Sequence, residues 1–186
     1  MIPLLTTERL VLRPFTPDDL PALAVLHAEE SFWWYPLRRG MPEAETKEFL
    51  SRVIERYDSD GFGLEAVVDR ASGTMMGWAG LAVPHFLPEI LPAVEVGWRL
   101  GGSHRGKGVA TEAGSAAVDW GFTEGGLERI VSIYEPENRA SGRVMERLGF
   151  TYERTTSGPR GRTVHVMELS RQQWEDRARA LGGAHG

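Results

Sequence analysis

A glycine-rich segment between a strand-like and a helix-like sequence restricts the fold of this chain more than any other feature. In AVEVGWRL, the residues Val94, Val96, Trp98 and Leu100 fall on one face of a predicted strand. The segment GGSHRGKG follows, and VATEAGSAAVDWGF then shows apolar residues at helical spacing. This succession predicts a mixed α/β domain in which the N-terminus of a helix is available to bind an anion.

Two interpretations of the glycine-rich segment stay open from its local pattern. Gly106 and Gly108 would let the backbone approach phosphate oxygens, and Arg105 and Lys107 could add charge-assisted contacts worth about 1.5–3 kcal/mol each. Alternatively, the glycines only end a strand and start a helix. The segment has neither the Gly-Lys-Ser/Thr ending of a Walker motif nor the GxGxxG of a dinucleotide fold. Nucleotide sites of those two kinds are therefore excluded.

Hydrophobic periodicity and turn residues predict the other elements. The first half is predicted to contain a strand from Arg9, a helix capped by Thr16, the aromatic segment SFWWYPLRRG (residues 31–40), a helix over about 42–57, and a hairpin turning at Ser72-Gly73. The second half is predicted to contain the strand RIVSIY, a helix ending at Gly149, strands near 151–156 and 163–169, and a short helix in SRQQWEDRARAL before a frayed GGAHG end.

Length and composition indicate one globular domain. With 186 residues, we expect a single domain over 1–186, with a core at about 7–174 and a C-terminal tail at 175–186. A formal charge of -5 argues against nucleic-acid binding and would suit a cationic acceptor. The sequence has no apolar run near the roughly 18 residues of a membrane span, no signal-peptide profile and no cysteine. We therefore expect a cytoplasmic protein without membrane contact, and the scattered histidines predict no metal site.

Four sequence pieces carry a resemblance to a known family. RGKGVA resembles the Arg/Gln-x-x-Gly-x-Gly/Ala signature of GNAT acetyltransferases. VGWRL with HRGKGVATEA, NRASGRVMERLGF and TTERLVLRPF look like the RimJ/RimL-type subgroup, and together the pieces extend from about Thr7 to Trp174. The resemblance implies an α/β (mixed α+β) GNAT fold, in which four or five helices flank a twisted, mostly antiparallel sheet of about seven strands that splays at the cofactor site.

The same resemblance implies acetyl-CoA as the cofactor and names the residues that would hold it. The backbone of Trp98, Arg99 and Leu100 would pair with the pantetheine arm as an added strand does. Asn138 and Ser141 would contact the cofactor from the other side. The pyrophosphate would bind the amides of Arg105, Gly106, Lys107, Gly108, Val109, Ala110 and Thr111.

Acetylation requires a neutral amine, and a lysine-like amine has a reference pKa of about 10.4. Glu95 is the leading candidate for the base, because it precedes the residues that would pair with pantetheine and because glutamates at this place act so in parts of the family. The competing interpretation is that Glu95 forms a structural ion pair, for example with Arg99 on the same side of the strand. His85 and His165 are alternative bases, although each is more readily explained as a structural histidine.

The usual proton donor to the leaving thiolate is absent from the sequence. Many members of the family place a tyrosine in the second cofactor helix, and Met145 occupies the matching position here. Ser141 is then the remaining candidate acid, or the reaction has none. A thiol of pKa about 8.5 leaves without full protonation, and an amide near Leu100 could polarise the thioester carbonyl.

Aromatic residues indicate where an acceptor could bind. The aromatic segment lies where the family builds its acceptor wall, and we predict acceptor contacts from Trp33, Trp34 and Tyr35, with at least two of the four aromatics at 32–35 serving as core anchors. A second candidate rim is HFLPEILP, in which Phe86 would contact the acceptor and Leu87 and Ile90 could also be exposed, for substrate or for a dimer partner.

The sequence therefore predicts an acetyl-CoA-dependent N-acetyltransferase, active as a monomer or a homodimer, that acetylates a primary amine by direct attack in a ternary complex. The acceptor could be a protein N-terminal α-amine. One alternative is a small-molecule acceptor, such as an aminoglycoside, a polyamine or an amino acid. Another is a coenzyme-A-binding sensor or scaffold without catalysis, which the methionine at position 145 suggests.

Overall fold

The computed structural model describes residues 3–182 and shows a mixed α/β architecture. Eight strands form one sheet in the order β1-β2-β3-β4-β5-β6-β8-β7, and five α-helices accompany it. The pairs β1–β2, β2–β3, β3–β4, β6–β8 and β7–β8 are antiparallel, and β5–β6 is parallel. The predicted fold class is confirmed, with one strand more than expected.

The chain divides into two compact units. The first comprises Met1–Ala82 and Gly97–Ala117, and the second comprises Val83–Val96 and Val118–Gly186. The single-domain organisation stays a prediction. Among the helices of residues 3–182, none has the length and apolarity that a membrane crossing requires.

The first unit contains most of the N-terminal elements. Its strands are β1 (Leu5–Thr6), β2 (Leu10–Pro14), β3 (Leu64–Asp69), β4 (Met75–Ala82) and the larger part of β5 (Glu95–Leu100). Its helices are α1 (Leu20–Ala28), α2 (Glu43–Asp60) and the first turns of α3 (Val109–Thr123). The additional strand is the two-residue β1, which pairs with Val11 and Leu12 of β2 and is too short for a periodic pattern to reveal.

The second unit contains the C-terminal elements. Its strands are β6 (Arg129–Tyr134), β7 (Thr151–Ser157) and β8 (Thr163–Ser170), and its helices are α4 (Arg139–Leu148) and α5 (Arg171–Gly182). Helix α5 confirms the predicted C-terminal helix. The predicted fraying concerns residues 182–186, of which 183–186 lie outside the described part of the chain.

Local sequence signals explain where the elements begin and end. Before α1, the Asp19 carboxylate accepts a hydrogen bond from the Thr16 amide at 2.8 Å, and Pro17 begins a short 3-10 turn. Helix α4 ends at Gly149, whose φ of 95° lies in the left-handed region that glycine adopts without strain. Gly73, with a φ of 72°, closes the hairpin between β3 and β4. The predicted boundaries at Gly73 and Gly149 are confirmed. Thr16 precedes the 3-10 turn, and α1 itself begins at Leu20 with Asp19 as its N-cap.

Hydrophobic clusters form the core of each unit. In the first unit, one cluster surrounds Phe32, Trp33 and Trp78, and the other surrounds Leu12, Val67 and Val109. In the second unit, the buried residues Leu87, Ile90, Val131, Val164 and Val166 pack together. The expectation that Leu87 and Ile90 could be exposed is therefore wrong, because both side chains turn inward to cover the sheet.

Candidate active-site residues

The glycine-rich segment forms an exposed loop, residues 101–108, between β5 and α3, which we call the glycine loop. Gly106 and Gly108 have φ angles of 73° and 80°, in the left-handed region that favours glycine. Helix α3 follows at once, and its first hydrogen bond runs from the Glu112 amide to the Gly108 carbonyl at 3.0 Å. The N-terminus of helix α3 therefore follows the loop directly.

The amides of this loop are available to a ligand. Within residues 3–182, the backbone amides of 106–111 donate no hydrogen bond to the protein. Gly106, Lys107 and Gly108 are exposed. Free amides at a helix N-terminus, next to a lysine, have the chemistry of an anion site. This geometry fits the predicted pyrophosphate contact.

The Arg105 side chain contacts backbone carbonyls of the first unit. Its Nε donates to the Leu100 carbonyl at 3.0 Å, and its Nη2 donates to the Ser31 carbonyl at 2.6 Å. Close by, the Gly102 amide donates to Oε2 of Glu29 at 3.0 Å. The loop is thus hydrogen-bonded to the turn that begins the aromatic segment.

A residue that sequence reasoning missed also contacts the loop. Arg9 donates from Nη1 to the Lys107 carbonyl at 3.0 Å and from Nε to Oε2 of Glu112 at 2.6 Å. The Arg9 amide and the Thr7 hydroxyl donate to Oε1 of Glu112 at 3.0 and 2.6 Å. Burial alone would raise the pKa of Glu112, but these hydrogen bonds outweigh burial and hold the pKa below its ordinary value.

The end of β5 presents alternate residues to the two clusters of the first unit. Leu100 is buried and Trp98 partly buried against the cluster that includes Val109. Arg99 faces the other cluster, where its guanidinium lies 4.3 Å from the ring centre of Trp33 and 5.4 Å from that of Trp78. The predicted alternation of this strand is confirmed.

The aromatic segment is split between the core and the surface. Phe32 and Trp33 are buried, so the prediction that at least two of the four aromatics anchor the core is confirmed. Trp34 is 44% exposed and Tyr35 is half-buried. The Arg38 guanidinium lies 5.1 and 4.4 Å from these two rings. Trp34 and Tyr35 are therefore the accessible aromatic residues of the segment.

His27 and Glu65 are buried titratable residues that sequence reasoning did not single out. His27 is fully buried among Phe32, Trp33 and Phe49, and its Nδ1 lies 3.1 Å from the Thr46 hydroxyl. Burial, helped by the charge of Arg99, lowers the pKa of His27 to about 3. In β3, burial raises the pKa of Glu65 to about 8.

In the second unit, Glu95 begins β5 opposite Val131 and is half-buried. The Val131 amide donates to the Val94 carbonyl at 2.9 Å, and the Ser132 hydroxyl donates to the Val96 carbonyl at 2.9 Å. The Val96 carbonyl thus accepts from the Ser132 hydroxyl. If β5 and β6 continued to pair there, this carbonyl would accept from a backbone amide of β6 instead. The splay of the sheet at the cofactor site stays a prediction.

Helix α4 carries the other predicted cofactor residues. Asn138 caps the helix, and its side chain accepts from the Ser141 amide at 3.3 Å. Ser141 is half-buried. Met145 is 1% exposed and packs into the core of the second unit. Its buried thioether supplies no proton, in agreement with the sequence-based expectation.

The remaining candidates, His85, Phe86 and His165, lie in the second unit. His85 is exposed, and Phe86 is 51% exposed. His165 Nδ1 lies 3.3 Å from the hydroxyl of Tyr134, its partner across the strands β6 and β8. This hydrogen bond favours the structural explanation for His165.

Comparison with known proteins identifies the family. The family model described as Acetyltransferase (GNAT) domain matches residues 9–151. YkkB of Bacillus subtilis, an uncharacterized protein, is 31% identical over 111 residues, or 60% of this chain and 63% of that protein. The [Ribosomal protein uS5]-alanine N-acetyltransferase of Escherichia coli is 29% identical over 158 residues, or 80% of this chain and 78% of that protein.

Solved structures share the fold. An acetyltransferase of Agrobacterium tumefaciens superposes with a TM-score of 0.77 at 29% identity, over 91% of this chain and 95% of that one. The ribosomal L7/L12 α-N-protein acetyltransferase RimL, solved in complex with coenzyme A, gives 0.73 at 19% identity over 90% and 98% of the two chains. Since the family match covers most of the chain, the protein belongs to the GNAT family of N-acetyltransferases.

Proposed function

We propose that this protein transfers the acetyl group of acetyl-CoA to a primary amine by direct attack in a ternary complex. The observation that carries the proposal is the row of free amides at residues 106–111, at the N-terminus of α3, of which 106–108 are exposed. Lys107 adds a positive charge to that row. A pyrophosphate is the anion that such a site fits, because several amides can share its oxygens.

The other proposed cofactor contacts come from the family resemblance. The backbone of Trp98, Arg99 and Leu100 would bind the pantetheine arm, and Asn138 and Ser141 would contact the cofactor from α4. Asn138 already caps α4, so only its remaining hydrogen-bonding capacity is available to a ligand. When bound, the cofactor supplies a thioester that is activated for acyl transfer.

Glu95 is the proposed general base. Its carboxylate would take a proton from the ammonium form of the acceptor, directly or through a water, and the neutral nitrogen would then attack the thioester carbonyl. Support comes from its half-buried position on β5, close before the proposed pantetheine-binding residues. The nitrogen would lose its second proton to solvent as the C–N bond forms and the C–S bond breaks, and solvent or, less effectively, the Ser141 hydroxyl would protonate the leaving thiolate.

The acceptor is proposed to be a protein N-terminal α-amine, as in the RimJ/RimL-like subgroup. The uS5-alanine N-acetyltransferase relative favours this class. Trp34, Tyr35 and Phe86 are the proposed contacts, since each has exposed aromatic surface. Trp33, although also predicted, would contribute mainly by supporting its neighbours, because it is buried.

Small amines are the second candidate class, and a coenzyme-A sensor without catalysis is the third. Met145 motivates the sensor, because a buried methionine stands where the family's acid usually lies. Acetyl transfer assays with an Ala-initiated peptide, spermidine and an aminoglycoside separate these three functions. Tight acetyl-CoA binding without transfer to any amine would support the sensor.

Calorimetric titration with acetyl-CoA tests the cofactor site. The decisive variant is Gly106→Glu, matched by Gly73→Glu, because the two glycines have φ angles of 73° and 72° and no neighbouring atom would contact a Cβ at either place. Both variants carry the same backbone strain and charge. We expect binding by wild type and by Gly73→Glu, and at least a tenfold loss for Gly106→Glu. Equal affinities for the two variants would contradict the site.

A further inference from the structure

The turn that begins the aromatic segment receives hydrogen bonds from β5 and the glycine loop. In this turn the Phe32 amide donates to the Glu29 carbonyl at 3.0 Å, and the Trp33 amide donates to the Glu30 carbonyl at 3.2 Å. The Glu29 carboxylate accepts from Gly102, and the Ser31 carbonyl accepts from Arg105. The turn and the glycine loop are therefore held together by both side-chain and backbone groups.

Arg99 reinforces the same region from β5. Its Nη1 donates to the carbonyls of Phe32 and Tyr35, at 2.8 and 2.5 Å, while its guanidinium faces the rings of Trp33 and Trp78. Arg99 anchors the later part of the segment and Arg105 its beginning. Of the two, Arg105 alone lies in the glycine loop.

The charged groups of the glycine loop have different surroundings. The Arg105 guanidinium donates to two carbonyls, whereas Lys107 is exposed and makes no hydrogen bond with its side chain to another residue of 3–182. A carbonyl carries only a partial charge, so the Arg105 hydrogen bonds serve geometry more than charge neutralisation. Lys107 therefore has its ammonium donors available to an anion, whereas Arg105 uses its Nε and Nη2 donors on the two carbonyls.

We propose that Arg105 is a positioning residue, which connects the glycine loop to the aromatic segment, and that Lys107 supplies the loop's charge to the phosphates. This inference rests on the proposed function, because it assumes that the loop binds acetyl-CoA. Phosphate binding immobilises the loop amides, and Arg105 transmits that order to the Glu29–Trp33 turn through Ser31. The Trp34 and Tyr35 rings, which follow this turn, are thereby set in place for the acceptor.

The bridge requires arginine specifically. A guanidinium has donors on Nε and both Nη atoms in a rigid plane, so one side chain can bond the Leu100 and Ser31 carbonyls at the same time. A lysine ammonium keeps the charge but has no rigid fork. Arg105→Lys therefore separates the two roles: a phosphate contact made through charge would largely survive, and the bridge would not.

Amide hydrogen exchange, followed at Phe32 and Trp33 by NMR with and without saturating acetyl-CoA, tests the inference. In wild type, acetyl-CoA should slow exchange in residues 106–111 and also, by roughly tenfold, at Phe32 and Trp33. In Arg105→Lys the loop should still be protected, while the two turn amides should lose their response. Arg105→Gln, which also cannot maintain the bridge, should behave as Arg105→Lys does, and a dispersed spectrum verifies that each variant is folded.

Lys107→Gln is the matched comparison. It should weaken acetyl-CoA binding by roughly tenfold, yet keep the response of Phe32 and Trp33 at saturation. Equal protection of the turn in wild type and Arg105→Lys, or no protection of the turn in wild type, would overturn the positioning role. Failure of acetyl-CoA to protect residues 106–111 in wild type would instead overturn the proposed function.

Discussion

Arg9 and Glu112, separated by 103 residues, form an ion pair with 2.6 Å between Nη2 and Oε2. Glu112 lies in the first turn of α3, where a carboxylate would repel an anion bound at the helix N-terminus. Arg9 neutralises that carboxylate and also bonds the Lys107 carbonyl, so one side chain fixes the loop and removes an opposing charge.

A double-mutant cycle with Arg9→Gln and Glu112→Gln should give a coupling free energy of about 1 kcal/mol at pH 7, measured by urea unfolding. The value is modest because the Arg9 side chain is 49% exposed. The pKa of Glu112 is lowered on folding, so its stabilisation is present above its unfolded pKa and is lost as pH falls through the folded value. Coupling that does not shrink at pH 3 would contradict the pair.

Glu65 should make the protein less stable at alkaline pH. Its pKa rises on folding from an ordinary value of 4.5 to about 8, because the carboxyl is buried. Its stabilisation is therefore complete below pH 4.5 and is lost as pH rises through 8, by up to about 5 kcal/mol. Urea unfolding of wild type and Glu65→Gln between pH 5 and 9 measures the loss. Glu65→Gln should flatten this dependence, whereas the exposed control Glu55→Gln should keep it.

His27 should make the protein less stable at acidic pH. Burial lowers its pKa on folding from 6.5 to about 3, so its stabilisation is present above pH 6.5 and is lost as pH falls toward 3. The limiting slope for one such group is about 1.4 kcal/mol per pH unit. Thermal or urea unfolding from pH 7 to 4 should show a shallower decline for His27→Gln than for wild type. Identical declines would mean that folding does not lower the pKa of His27.

The neighbours Trp33 and Trp34 should differ sharply in their effect on stability. Trp33→Ala removes a 7%-exposed ring that contacts His27 and Phe49, and should cost about 3–5 kcal/mol of unfolding free energy. Trp34→Ala removes a 44%-exposed ring that lies 5.1 Å from the Arg38 guanidinium and should cost about 1 kcal/mol or less. Urea unfolding of the two variants side by side is the measurement. A large loss for Trp34→Ala would show that its ring has a packing role that its exposure conceals.

Glu95→Gln tests the proposed base. We expect kcat for an Ala-initiated peptide to fall by about 10²–10⁴, with the calorimetric affinity for acetyl-CoA unchanged and with the acidic limb of the pH–rate profile lost. A structural ion pair would give a different pattern: a lower melting temperature and an unaltered pH profile. Glu55→Gln is again the surface control.

The sequence predicted those structural features best that depend on residues close together in the chain. The alternation of β5, the left-handed glycines at 73 and 149 and the strand–loop–helix at the glycine loop all depend on residues close together in the chain, and the structure confirms them. Long-range contacts were missed. Nothing near Arg9 in the sequence points to Glu112, and Glu65 looks like an outward-facing residue of an alternating strand although β3 is covered at that position.

Some misjudged residues have a common physical reason. Leu87 and Ile90 lie in a proline-rich connection that reads as a surface loop, yet they cover the sheet because Val131 and Val166 need apolar partners there. Arg105 matches a cofactor signature, but the sequence could not show that its guanidinium donates to the Ser31 and Leu100 carbonyls. The residue type shows which hydrogen bonds a side chain can make, and the fold determines the partners with which it makes them.

Two glycines of β4 lie so close to neighbouring backbone that they limit which positions can be mutated to alter the specificity of this enzyme. A Cβ at Gly77 would lie 2.1 Å from the Arg99 carbonyl oxygen, and one at Gly80 would lie 2.3 Å from that of Gly63. Even alanine cannot enter either position without moving a strand. A mutant library should therefore hold these two glycines fixed and place its diversity at Trp34, Tyr35 and Phe86, where side chains can change without disturbing the sheet.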